Sequence, residues 1–109
     1  MNTINHLEEH DRNIHAAMQD LQVYTDGLKK LRTKSTTEMR KFKKAHSTSV
    51  RITSGPCRGY SYPEWDSPES ENAMNEMLDT YRKIDSEISE LRKQIKNLSI
   101  VSAFFDKQL

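Results

Sequence analysis

The residues His6-Leu7-Glu8-Glu9-His10 form the most chemical-looking pattern in the sequence. Residues i and i+4 share a helix face, so two imidazoles at this spacing can hold Zn²⁺ with a neighbouring glutamate as base. This is the H-x-x-E-H arrangement of inverted zinc peptidases. The rest of such an enzyme is missing. A chain of 109 residues has no second domain to form a substrate cleft, and the motif falls on the first turns of a helix. A solvated helix face is the reading adopted, and no resident metal is expected.

Cys57 follows Gly55-Pro56 and precedes Arg58, whose charge would favour the thiolate. Neither a second cysteine to resolve an oxidised form nor a histidine adjacent in sequence accompanies it, so it reads as an ordinary loop thiol. A single cysteine also excludes an intramolecular disulfide framework and fits a reducing compartment. The sequence has no P-loop, no G-x-G-x-x-G and no serine nucleophile elbow. Neither an enzyme nor a cofactor is expected.

Binding chemistry is better represented. Residues 28–60 hold ten bases (Lys29, Lys30, Arg32, Lys34, Arg40, Lys41, Lys43, Lys44, Arg51 and Arg58) against Glu38 alone. Tyr60, Tyr62 and Trp65 follow, and aromatics beside cations can stack bases while the cations neutralise phosphates. Residues 61–80 then carry six acids and no base, which would cancel much of that field. Pro56, Pro63 and Pro68 also prevent the basic run from continuing into a zipper as one helix. Charge matching inside the chain is the favoured explanation, and nucleic-acid binding is the rival.

These residues must be positioned by helices. Met74, Met77, Tyr81, Ile84, Ile88, Leu91, Ile95, Leu98, Ser102 and Phe105 alternate steps of three and four, an a/d heptad series in which only Ser102 is polar. Ser67 as N-cap, Pro68 in the first turn and Glu69 and Glu71 near the positive helix end mark its start. A helix over about 68–106 follows. Ile4, Leu7, Ile14, Met18, Leu21 and Leu28 keep the same spacing near the N-terminus, with Asp11 and Thr25 at two core positions. The stripe then passes to Leu31, Ser35, Met39 and Phe42. This predicts a helix over about 3–46, weakened between 26 and 36 by Asp26-Gly27 and by Thr33–Thr37, where Ser35 and Glu38 could form a new capping box.

Residues 47–66 are different in kind. Val50 and Ile52, then Tyr60 and Tyr62, alternate with polar neighbours around a Gly/Pro turn. The expectation is an ordered irregular tip loop, with a short β-hairpin as the alternative.

The fold class expected is therefore all-α, one antiparallel two-helix coiled-coil hairpin with a long ordered tip loop. Folding back sets the basic half of the first helix beside the acidic start of the second, and the acidic N-terminal end beside Arg92, Lys93, Lys96 and Lys107. A hydrophobic content of 34% and a mean hydropathy of −0.89 imply a thin core that needs help from self-association or a partner. Ile100, Val101, Phe104 and Leu109 surround Phe105 and mark the apolar end through which hairpins would join, a dimer being favoured. Neither a membrane-length apolar run nor a signal-peptide core is present, so a cytoplasmic or other reducing intracellular location without membrane partners is expected.

The expected function is non-enzymatic: a small adaptor, assembly subunit or inhibitor that docks on a larger protein. Its docking residues would be Arg51, Arg58, Tyr60, Tyr62 and Trp65 at the tip, or Val101, Phe104 and Phe105 at the apolar end. The alternative is nucleic-acid binding through Lys29, Lys30, Arg40, Lys41, Lys43 and Lys44.

Overall fold

The computed structural model describes residues 2–109, with side chains from Thr3 onward. The elements are α1 (Asn2–His46), β1 (Ser47–Arg51), β2 (Ser61–Trp65) and α2 (Pro68–Gln108). The chain is 79% helical, the two helices pack against each other, and a two-stranded antiparallel sheet lies between them in sequence. It is a helical hairpin. The structure divides into two compact units, one formed by the chain up to Leu31 together with Ile84–Leu109, the other by Arg32–Lys83.

The start of α2 forms as its sequence dictates. The Ser70 backbone N–H donates to Ser67 Oγ at 3.2 Å, which makes Ser67 the N-cap and Pro68 the first helical residue. Every a/d position of α2 points inward: Met74, Ile84, Ile88, Leu91 and Ser102 are buried, and Met77, Tyr81, Ile95, Leu98 and Phe105 half-buried. On its exposed face Asp79 pairs with Arg82 at 3.6 Å, three residues on.

α1 is helical at every residue from Asn2 to His46, so no break follows Gly27 and no capping box forms at Ser35. Three threonines in and beside this stretch satisfy their hydroxyls within the helix. Thr25 Oγ1 donates to the Leu21 carbonyl at 2.6 Å, and Thr36 and Thr37 donate to the carbonyls of Arg32 and Thr33 at 3.1 Å. The stripe also corrects the sequence reading. Leu31 is 48% exposed and Arg32 is half-buried, because Leu28, Arg32, Ser35, Met39, Phe42 and His46 hold the heptad phase without a drift. Turning Leu31 inward would rotate the helix by ~100°, whereas the aliphatic stem of an arginine can line a seam with its head kept near water.

Within the unit that pairs the N-terminal part of α1 with the end of α2, the direction of packing is explicit. Tyr24 donates to Glu87 at 2.9 Å, Ser102 donates to Asp11 at 3.0 Å, and His10 stacks on Phe105 with centroids 6.2 Å apart. Partners climb one helix as they descend the other, so packing is antiparallel. Arg92, Lys96 and Lys107 make no ion pair among the described residues, and Lys93 pairs within its own helix with Glu90. Polar seam positions meet instead.

Candidate functional site

The tip is a β-hairpin rather than an irregular loop. Ser47–Arg51 pairs with Ser61–Trp65 in antiparallel register, Val50 opposite Tyr62 and Ser47 opposite Trp65. Ile52 N–H donates to the Tyr60 carbonyl at 2.8 Å and Gly59 N–H to the Ile52 carbonyl at 2.9 Å, closing the ladder below the turn. The turn needs its glycines, since Gly55 and Gly59 sit at φ 84° and 92°, a region other residues enter only under strain. At the base, Asp66 N–H donates to the His46 carbonyl at 2.8 Å and the Asp66 carboxylate meets His46 Nδ1 at 2.8 Å. Hydrogen bonds from the Ser70 hydroxyl first, then from His46, hold the Asp66 carboxyl below the usual aspartate value.

The predicted tip residues divide into two groups. Tyr60 and Tyr62 stand 70% and 48% exposed, and Arg51 and Arg58 border a shallow groove with Ile52 and Gly59. Trp65 is half-buried, its ring 6.3 Å from that of Phe42, which in turn lies 4.4 Å from His46. It fastens the hairpin to α1. Beside it, Met39, Pro63, Trp65, Met74 and Leu78 line an apolar cleft of about 390 Å³. Sequence reasoning missed this cleft because its residues come from three elements.

Three of the predicted basic residues converge. Arg40, Lys43 and Lys44 line a cleft of about 340 Å³ with Ser49, Ser61 and Tyr62. No carboxylate pairs with these three cations among the described residues. Lys41 is exposed on the same stretch of α1, whereas Lys29 and Lys30 belong to the other unit, with Lys29 4.0 Å from Asp26.

In that other unit the apolar end lies open. Val101 and Phe104 are 40% and 59% exposed, with Ile100 and Leu109 exposed beside them, while Phe105 turns inward against His10. Across the same seam lies a polar cluster that the motif search passed over. Ser102 is 4% exposed, and its Oγ lies 3.0 Å from both Asp11 Oδ1 and His15 Nε2. Asp106 follows one turn on, its carboxyl pushed up by a hydrogen bond to Asp11 and by repulsion from it. The available signal was the pair of polar breaks at Asp11 and Ser102 in otherwise apolar series. The cluster is not a hydrolase triad. There a carboxylate orients Nδ1 while Nε2 takes the serine proton; here Asp11, 3.5 Å away, and Ser102 both meet Nε2, and the hydroxyl is buried.

His6 takes no part in this cluster, and His10 is engaged with Phe105. Cys57 is a free, exposed thiol on the turn. No helix among the described residues is long and apolar enough to cross a membrane. No family model, curated protein or solved structure matches the chain.

Proposed function

We propose that this chain is a non-enzymatic protein-interaction module, a small adaptor, assembly subunit or inhibitor that docks on a larger protein in a reducing intracellular compartment. The observation that carries the reading is the open apolar end of α2. Ile100, Val101 and Phe104 are neighbours at helical spacing, they are all exposed, and the facing helix leaves them uncovered. Contiguous apolar surface of this kind marks contact with other proteins. Self-association into a dimer through the same end is part of the proposal, since a single seam offers a thin core. Tyr60 and Tyr62 on the hairpin supply a second contact surface of the residue type that often anchors interfaces.

Sedimentation of the full chain and of Val101→Asp/Phe104→Asp tests the reading. Mass near twice 12.7 kDa for wild type, falling to the monomer in the variant with helicity retained, is the expected result. A wild type that stays monomeric at high concentration and retains no protein partner in a salt-washed pull-down would overturn it.

The second reading, nucleic-acid binding, is favoured by one observation: the unpaired Arg40, Lys43 and Lys44 sharing a cleft with Tyr62. If it holds, Lys41→Ala/Lys43→Ala/Lys44→Ala weakens binding to a mixed-sequence oligonucleotide and flattens its salt dependence. Unchanged binding and slope would end it.

A further inference from the structure

We infer that Asp11, His15 and Asp106 form a binding site for a divalent transition cation, Zn²⁺ by donor type, fastening the first turns of α1 to the end of α2. One donor atom from each of the three residues lies within 4.8 Å of the others, the one such group of histidine, cysteine or acidic residues among the described residues. Tetrahedral Zn²⁺ with bonds of ~2.0–2.1 Å places its ligand atoms ~3.3 Å apart. The separation of His15 Nε2 from Asp11 Oδ1 is 3.5 Å, so these two need almost no adjustment.

The elements present these donors for physical reasons. Asp11 and His15 are four residues apart on α1 and share a face, and Asp106 stands one turn beyond Ser102 on the antiparallel partner. Ser102 Oγ, buried and 3.0 Å from both Asp11 Oδ1 and His15 Nε2, would yield its contact with Nε2 to an entering ion, since that nitrogen has one lone pair, and would keep its bond to the Asp11 carboxylate. Two carboxylates brought together from different helices repel unless a proton or a cation sits between them. A ring nitrogen as third donor favours a transition metal over Ca²⁺ or Mg²⁺, which prefer oxygen alone. Three protein ligands leave the fourth position to water. The site thus uses a different histidine from the H-x-x-E-H motif, with which it shares no residue.

The test is metal uptake by the full chain after dialysis against EDTA, with Zn²⁺ followed by calorimetry and Co²⁺ by visible absorption. Expected are one metal per chain, a tetrahedral Co²⁺ spectrum, and a higher melting temperature with Zn²⁺. His15→Gln and Asp106→Asn each weaken Zn²⁺ by more than about tenfold, and His6→Gln/His10→Gln leaves it unchanged. Histidine ring spectra of the wild type on Zn²⁺ addition give an independent reading: His15 shifts, and His6 and His10 do not. No stoichiometric uptake, uptake that survives loss of His15 and Asp106, or a shift centred on His6 and His10 would each overturn the site. Failure here leaves the interaction reading standing, since that rests on Val101 and Phe104.

Discussion

Ser102→Ala removes one oxygen from the seam, and the structure sets the size of the effect. The hydroxyl is 4% exposed and donates to Asp11 Oδ1 at 3.0 Å, while the Asp11 side chain retains 15% of its exposure. A hydrogen bond to a charged group contributes ~1.5–3 kcal/mol. Partial access of water to Asp11 puts the loss at the lower end, ~1.5 kcal/mol, and removal of a single oxygen adds little cavity cost. Asp11→Ala deletes the same bond but takes a carboxylate out of a core position and gains helix propensity, so its cost is smaller, ~0.5–1 kcal/mol. The double variant is expected to fall short of the sum by ~1 kcal/mol, because the bond is lost only once. Urea unfolding followed by circular dichroism, in EDTA and at fixed protein concentration, reads this directly. With a slope of ~1–1.5 kcal/mol per molar urea, Ser102→Ala shifts the midpoint by ~1 M. A Ser102→Ala midpoint within error of wild type, or strictly additive single effects, would refute the claim that the polar seam pair contributes to this packing.

The glycines give two opposed expectations. Gly27 is exposed inside α1 with nothing within 4 Å of an added Cβ, so Gly27→Ala should raise stability by ~0.5–1 kcal/mol in the same urea assay; a lower midpoint would contradict the uninterrupted helix. Gly59 is as open but sits at φ 92°, so Gly59→Ala should cost ~1–2 kcal/mol locally. That cost is read as faster exchange of the Ile52 amide with helical dichroism unchanged; equal exchange would mean the turn has another conformation. Asp66 predicts an acid-side transition: its carboxyl is held below the ordinary 3.8, so its contribution is complete above that value and is lost as pH falls through the lower, folded-state value. Trp65 emission, the single indole reporter at the hairpin base, should change over that range in wild type and not in Asp66→Asn.

The heptad series of α2 was legible at every position because period alone determines which face of a helix is buried. The same logic failed at Leu31. Hydropathy favours leucine over arginine one residue later, but a helix cannot change phase for one side chain without disturbing its neighbours, and Arg32 has a stem that tolerates the seam. Alternation at Val50, Ile52, Tyr60 and Tyr62 allowed a hairpin without requiring one, since the choice rested on closing bonds between His46 and Asp66, twenty residues apart. Charge suggested the antiparallel orientation, yet the contacts that accompany it are Asp11 with Ser102 and Tyr24 with Glu87. Neither pair is visible in a net-charge profile. The donors Asp11, His15 and Asp106 were out of reach for the same reason: a motif search looks along one segment, and these residues meet only when two segments do.

The turn between Ile52 and Gly59 is exposed along its whole length; the Ile52–Tyr60 and Gly59–Ile52 bonds hold its ends, and Arg58 N–H donates to the Gly55 carbonyl within it. In polymer terms its end-to-end distance is held by the ladder at its base. Doubling such a loop costs only ~0.6 kcal/mol of closure entropy. The apex around Pro56 and Cys57 is therefore the position where this chain can take a guest peptide, or be cut, with least consequence for the helices below.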